Sequence, residues 1–153
     1  MTAATRTPKT ATPKFTAGVD ARQYIPIGER NTIAIQVAAD FNLGNVPFHQ
    51  MAMLGGLVRL RGYYEGRFRD RNAIVTQVEW RMMPVVWRFG LTAFVAAGQV
   101  FDEFSNIRFD GIHWTAGGGI RYQLNKEERV HIRLDAGAGI DSWGIYFNVL
   151  EAF

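Results

Sequence analysis

Apolar and polar residues alternate along this chain with a period of two over long stretches, the pattern of strands that carry one apolar face. Between Thr32 and Leu43 one face reads Ile33, Ile35, Val37, Ala39, Phe41 and Leu43, and the other Thr32, Ala34, Gln36, Ala38, Asp40 and Asn42. Segment 112–124 splits in the same way, with Trp114, Ala116, Ile120 and Tyr122 opposite His113, Thr115, Gly117, Gly119 and Arg121. In segment 130–141, Val130, Ile132, Leu134 and Ala136 oppose His131, Arg133, Asp135, Gly137 and Gly139. Segments 15–27, 73–83, 87–99 and 144–153 follow with more noise, and the polar face of the first carries Asp20 and Arg22. The pattern predicts about seven strands, no helix and no solenoid-type repeat.

The connections alternate in length: 28–31, 84–86 and 125–129 are short, whereas 44–72 and 100–111 are long, with the short 141–144 as the exception. Short turns therefore collect at one rim and long loops at the other, as they do in outer-membrane barrels. A soluble β-domain would turn its polar face to water and fill it with lysine and glutamate. Here lysine occurs only at Lys9, Lys14 and Lys126, none of them on a predicted strand. The polar faces hold Gly, Thr, Arg, Asp and Gln instead, a set suited to a crowded, partly wet interior. Trp80, Trp87, Trp114 and Trp143 fall near predicted strand ends, where membrane barrels carry aromatic girdles.

The expected fold is all-β: an antiparallel up-and-down transmembrane β-barrel of about seven to eight strands, either half of a larger barrel or a small or oligomeric one. A poorly ordered tail is expected at 1–14 and the barrel domain at 15–153, interrupted by the long loop 44–72. The alternative is a soluble β-barrel or sandwich with its apolar faces inward, around a small apolar ligand.

Composition narrows the chemistry. Cysteine is absent, which removes disulfides and thiolate metal sites. The net charge of +3 comes largely from Arg6, Lys9, Lys14 and the loop, with no helix or aromatic platform to read nucleic acid, so no nucleic-acid partner is expected. His49, His113 and His131 lie on different elements, and no Ser-His-Asp arrangement or metal cluster accompanies them. The glycines at 117–119 and 137–139 precede no helix, which a phosphate-binding loop requires. No catalytic residue, metal or cofactor is expected.

The loop is the most informative stretch. It is glycine-rich and cationic from Leu54 to Asp70, and loops beyond about 12–15 residues are uncommon in compact domains unless they have a function. Leu54-Gly55-Gly56 followed by Arg61-Gly62-Tyr63 resembles the sixth extracellular loop of the outer-membrane assembly-factor superfamily, which includes BamA, TamA and the transporters of two-partner secretion and is also described as the bacterial surface antigen family. Val78-Glu79-Trp80-Arg81, Gly117-Gly118-Gly119-Ile120-Arg121 and Arg133-Leu134-Asp135 fall where that family places similar residues, and Phe153 resembles its C-terminal aromatic assembly signal.

The resemblance implies a loop folded back into the lumen, with Arg61, flanked by Gly62 and Tyr63, paired to acidic residues of the wall. Glu79 is then one partner. Where the family has Phe-x-Asp-x-Gly, this chain has Phe94-Val95-Ala96-Ala97-Gly98, so the second carboxylate is missing there and Asp135 or Asp40 is the substitute available. Asp20, Arg22, Asp40, Arg121 and Arg133 are expected to face the lumen. Glu151 stands where the assembly signal has an aromatic. The resemblance also implies the bacterial outer membrane as location and its lipid as partner. Seven strands counted back from a periplasmic Phe153 put residue 15 outside, which suggests a fragment or compact relative whose edges are closed by another copy, another barrel chain or strained self-closure.

Overall fold

Long alternating runs rich in Ile, Val, Phe and Thr favour extended backbone, and the computed structural model, which describes residues 15–44, 46–125 and 130–149, places nearly all of them in strands. In chain order these are β1 (Phe15–Ile27), β2 (Asn31–Leu43), β3 (Ala52–Leu54), β4 (Phe68–Asp70), β5 (Asn72–Val86), β6 (Phe89–Phe101), β7 (His113–Asn125), β8 (Val130–Gly139) and β9 (Trp143–Val149). Seven of them form one antiparallel sheet in the order β1-β2-β5-β6-β7-β8-β9, and β3 and β4 make a separate hairpin within the long loop. The helical content of the described residues is three single 3-10 turns, at 48–50, 104–106 and 109–111. The expected tail 1–14, the centre of the 125–129 turn, Glu151 and Phe153 lie outside the described residues.

The sheet is an up-and-down meander and it is not closed. Among the described residues β1 and β9 each pair on one side only, so each presents a row of backbone donors and acceptors. The turn expected at 84–86 lies further along. β5 continues past Pro84 to Val86 through a register irregularity, and Trp87 and Arg88 make the turn, with Trp87 at φ 59°. Trp80 consequently sits in the middle of β5 rather than near its end, while Trp87, Trp114 and Trp143 remain at strand ends.

The two faces of the sheet are packed inside out relative to a soluble domain. Val37, Val95, Ile120, Leu134 and Phe147, all on the apolar face, are exposed. The polar face carries the loop, and the buried core lies between the two. Leu54 and Leu60 are fully buried there, with Tyr63, against Ala38, Ala73, Val75 and Ala96 of the wall. Small wall residues make room for large loop residues. A soluble sandwich with its apolar faces inward would bury the opposite set.

This division predicts which contacts hold the loop down. Leu54→Ala should cost about 2–5 kcal/mol through lost burial and a residual cavity. Amide exchange in lipid or detergent should then lose protection across 52–70 while β5 to β8 keep theirs. Uniform loss over the sheet would show that the strands themselves depend on the hairpin.

Candidate functional site

Antiparallel register aligns the polar face in rows that cross the sheet. One row runs Ala34, Glu79, Phe94, Gly117, Gly137, Gly144, from β2 to β9. The next row toward the short-turn rim holds Arg81, Thr92, Gly119, Asp135 and Tyr146. Beyond it Arg121 and Arg133 stand directly opposite each other on β7 and β8. The tip of the loop settles on the first of these rows.

Arg61 is fully buried at that tip. Its guanidinium donates from Nη2 to Glu79 Oε2 and from Nη1 to Asp135 Oδ2 at 2.7 Å, and its Cζ lies over the Phe94 ring, 3.6 Å from the ring centre. Glu79 and Asp135 are also fully buried. Two carboxylates and an aromatic face thus replace the water that a guanidinium loses on burial. Glu79 is shared: its Oε1 accepts from Arg121 Nη2 at 2.5 Å and from Arg81 Nε at 2.7 Å. Arg133 Nη1 lies 3.6 Å from Asp135 Oδ2, and its Nη2 donates to the Leu57 carbonyl at 3.4 Å.

Gly62 and Tyr63 bind by backbone and hydroxyl. The Gly62 N–H donates to the Tyr146 hydroxyl at 2.8 Å, and that hydroxyl donates onward to the Tyr63 carbonyl at 3.0 Å. The Tyr63 hydroxyl accepts from the Ile140 N–H at 3.1 Å. Leu60, just before Arg61, is held in the left-handed region at φ 61°, a conformation that costs roughly 1–3 kcal/mol in a non-glycine residue. Complete burial of its side chain offsets that strain. Gln77 supports the same strand of loop from the wall, donating to the Val58 carbonyl at 2.8 Å.

The structure therefore brings Arg61, Gly62, Tyr63, Glu79, Asp135, Arg121 and Arg133 into one buried network. It does not bring in the remaining candidates. Asp40 pairs with Arg59, a second loop arginine, nearer the long-loop rim. Asp20 pairs with Arg22 along the edge strand β1 at 2.7 Å and accepts from Gln36 at 3.0 Å, apart from Arg61. Phe153 lies outside the described residues.

Several contributors escape a reading of the sequence. Tyr146 is an alternating position like any other until the register puts its hydroxyl over the loop tip. Phe94 looks like part of a motif lacking its acid, whereas its ring is the surface on which Arg61 lies. Arg67 reaches Asp141 at 2.5 Å, and Phe68 stacks on His113 with 3.6 Å between ring centres, tying the outer part of the loop to β7 and the β8–β9 turn. The density of arginines and aromatics in 59–69 is the one signal that pointed to these contacts.

No curated protein matches the sequence. A family model does, the Omp85 superfamily domain, over residues 4–136, which takes in the loop, Glu79 and Asp135. With most of its length covered by that match and its strands arranged as an open antiparallel sheet, the chain belongs to the Omp85 superfamily of outer-membrane assembly and translocation factors.

Proposed function

We propose that residues 15–153 form a wall section of an outer-membrane β-barrel that assembles or translocates other proteins without catalysing a reaction, and that Arg61 latches the long loop inside its lumen. The observation that carries this reading is the complete burial of Arg61 between Glu79 of β5 and Asp135 of β8. A surface loop arginine has water for a partner and needs no carboxylate. One that is buried against two acids on separate strands fixes the loop to the wall at a defined point. Asp135 then supplies the second carboxylate that the motif around Ala96 lacks.

Exposure of the apolar face supports the membrane half of the proposal. Val37, Val95, Ile120 and Leu134 all lie exposed on the outward face, whose natural solvent is lipid, and the polar network on the other face is where a lumen would be. The open edges of β1 and β9 are met by strands of another copy or another barrel chain, which satisfies their backbone groups.

Two measurements test these points. Arg61→Ala, Glu79→Ala and the double variant, each followed by protease sensitivity of the loop and by stability, should show coupling of about 1–3 kcal/mol with unchanged strand content. Additive effects would remove the latch. For the membrane face, Val95→Arg at the middle of β6 should weaken folding into lipid vesicles by about 2–4 kcal/mol in a urea titration. An effect within about 0.5 kcal/mol, as at an ordinary water-exposed position, would argue against lipid there.

A further inference from the structure

The inner face of β7 and β8 carries four glycines, Gly117, Gly119, Gly137 and Gly139, paired across the strands as Gly117 with Gly137, Gly119 with Asp135, and Thr115 with Gly139. Glycine weakens a strand, so four in one patch call for a cause. Each stands at a different part of the Arg61 network. A Cβ on Gly137 would lie 2.9 Å from the Arg61 carbonyl oxygen. One on Gly139 would enter the Tyr63 ring, 2.6 Å from its hydroxyl. At Gly119 it would take the place of an Asp135 carboxylate oxygen, 2.1 Å away, and at Gly117 it would meet the Ala136 carbonyl oxygen at 2.2 Å and, at 2.4 Å, the Phe94 ring that underlies the guanidinium.

The loop answers with a glycine of its own. Gly62 sits at φ 119°, where a side chain is strained, and a Cβ there would lie 2.9 Å from the Ala138 carbonyl carbon. Loop and wall thus meet backbone against backbone. The contrast with the outer face of β7 is direct: at Gly118 the nearest atom to an added Cβ is the Thr92 carbonyl oxygen, at 3.1 Å, and no atom of the loop is near it.

We propose that these four glycines are positioning residues that form a seat for the loop tip. Gly137 and Gly139 admit the backbone of Arg61 and Gly62 and the ring of Tyr63, and Gly117 and Gly119 leave room for Phe94 and Asp135 to receive the guanidinium. The seat selects a tip of the form Arg-Gly-aromatic, because a side chain in place of Gly62 or a Cβ on the wall closes the approach. This rests on the latch reading above and extends it from charge to shape. An ion pair alone would tolerate shifts of an ångström or more along two flexible side chains, whereas the seat fixes the tip in register with one row of the sheet.

The full chain has no cysteine, so Ala96→Cys, beneath the loop and 3% exposed, gives a single reporter whose maleimide labelling rate in detergent or lipid vesicles reads the loop's departure. Gly137→Ala and Gly139→Ala should each raise that rate on the order of tenfold or more, the shift expected of one overpacked methyl, with unchanged strand circular dichroism. Gly118→Ala should leave it unchanged. Adding Tyr63→Ala to Gly139→Ala should remove the effect of the added methyl, so that the pair labels like Tyr63→Ala alone.

Labelling unaffected by either alanine, or Gly139→Ala and Tyr63→Ala effects that simply multiply, would overturn the seat. If a wall variant loses strand signal, Gly62→Ala reads the same contact from the loop side, and an unchanged rate there counts against the proposal. Arg61→Ala separates the two ideas. A rate raised by Arg61→Ala but by none of the glycine variants leaves the latch and removes the seat, and the reverse result removes the latch and leaves the seat.

Discussion

A guanidinium taken out of water must be given carboxylates in good geometry, because an uncompensated buried charge costs several kcal/mol. Much of this structure follows from meeting that demand for Arg61. Glu79 on β5 and Asp135 on β8 are 56 positions apart in sequence, and the antiparallel sheet in this register brings both within reach of one side chain. The loop must then be long enough to travel from the end of β2 down the inner face and back to the start of β5. Its tip must also be free of bulk where it touches the wall. Loop length, the glycines of β7 and β8, and the register are in this sense solutions to one electrostatic problem.

The same demand explains why the core is on the polar face. A seven-stranded sheet with exposed valine, isoleucine and leucine on its other side has no soluble partner for that side within the described chain. The loop covers the polar face, and Leu54, Leu60 and Tyr63 pack over alanines and Val75 around the charged centre. Hydrophobic contact surrounds the ion pairs and excludes water from them, which strengthens each pair in turn. A core of this kind is small and depends on one segment. Its stability is therefore local, belonging to the loop more than to the ladder of strands.

Alternation made the strands and their faces legible, since a period of two is printed directly in the order of residues. What alternation does not encode is where one strand ends when the breaker is tolerated. Pro84 reads as a turn, yet β5 absorbs it at a register irregularity and turns only at Trp87 and Arg88. The short hairpin of β3 and β4 also leaves no periodic trace, because three residues are too few to show one. Of the network, Arg61 and Glu79 were legible through the family motif and its spacing. Asp135 was one of two candidates until register decided between it and Asp40. Tyr146 and the supporting roles of Phe94 and the glycines were not legible, because they depend on cross-strand neighbours that no local pattern specifies.

Charge sharing in the network makes the two sides of the proposed latch unequal. Glu79 contacts Arg81 and Arg121 as well as Arg61, and Asp135 has Arg133 beside it. Without Arg61, Glu79 would still have Arg81 and Arg121 beside it, and Asp135 would still have Arg133. Neither is left as an isolated buried anion. Loss of Glu79, by contrast, takes a shared carboxylate from Arg61, Arg81 and Arg121 at once, and crowds their positive charges together with one acid fewer. Removing the loop's cation is therefore the milder perturbation of the wall, and removing the wall's anion the harsher one. The wall's charges are thus balanced more by one another than by the loop that covers them.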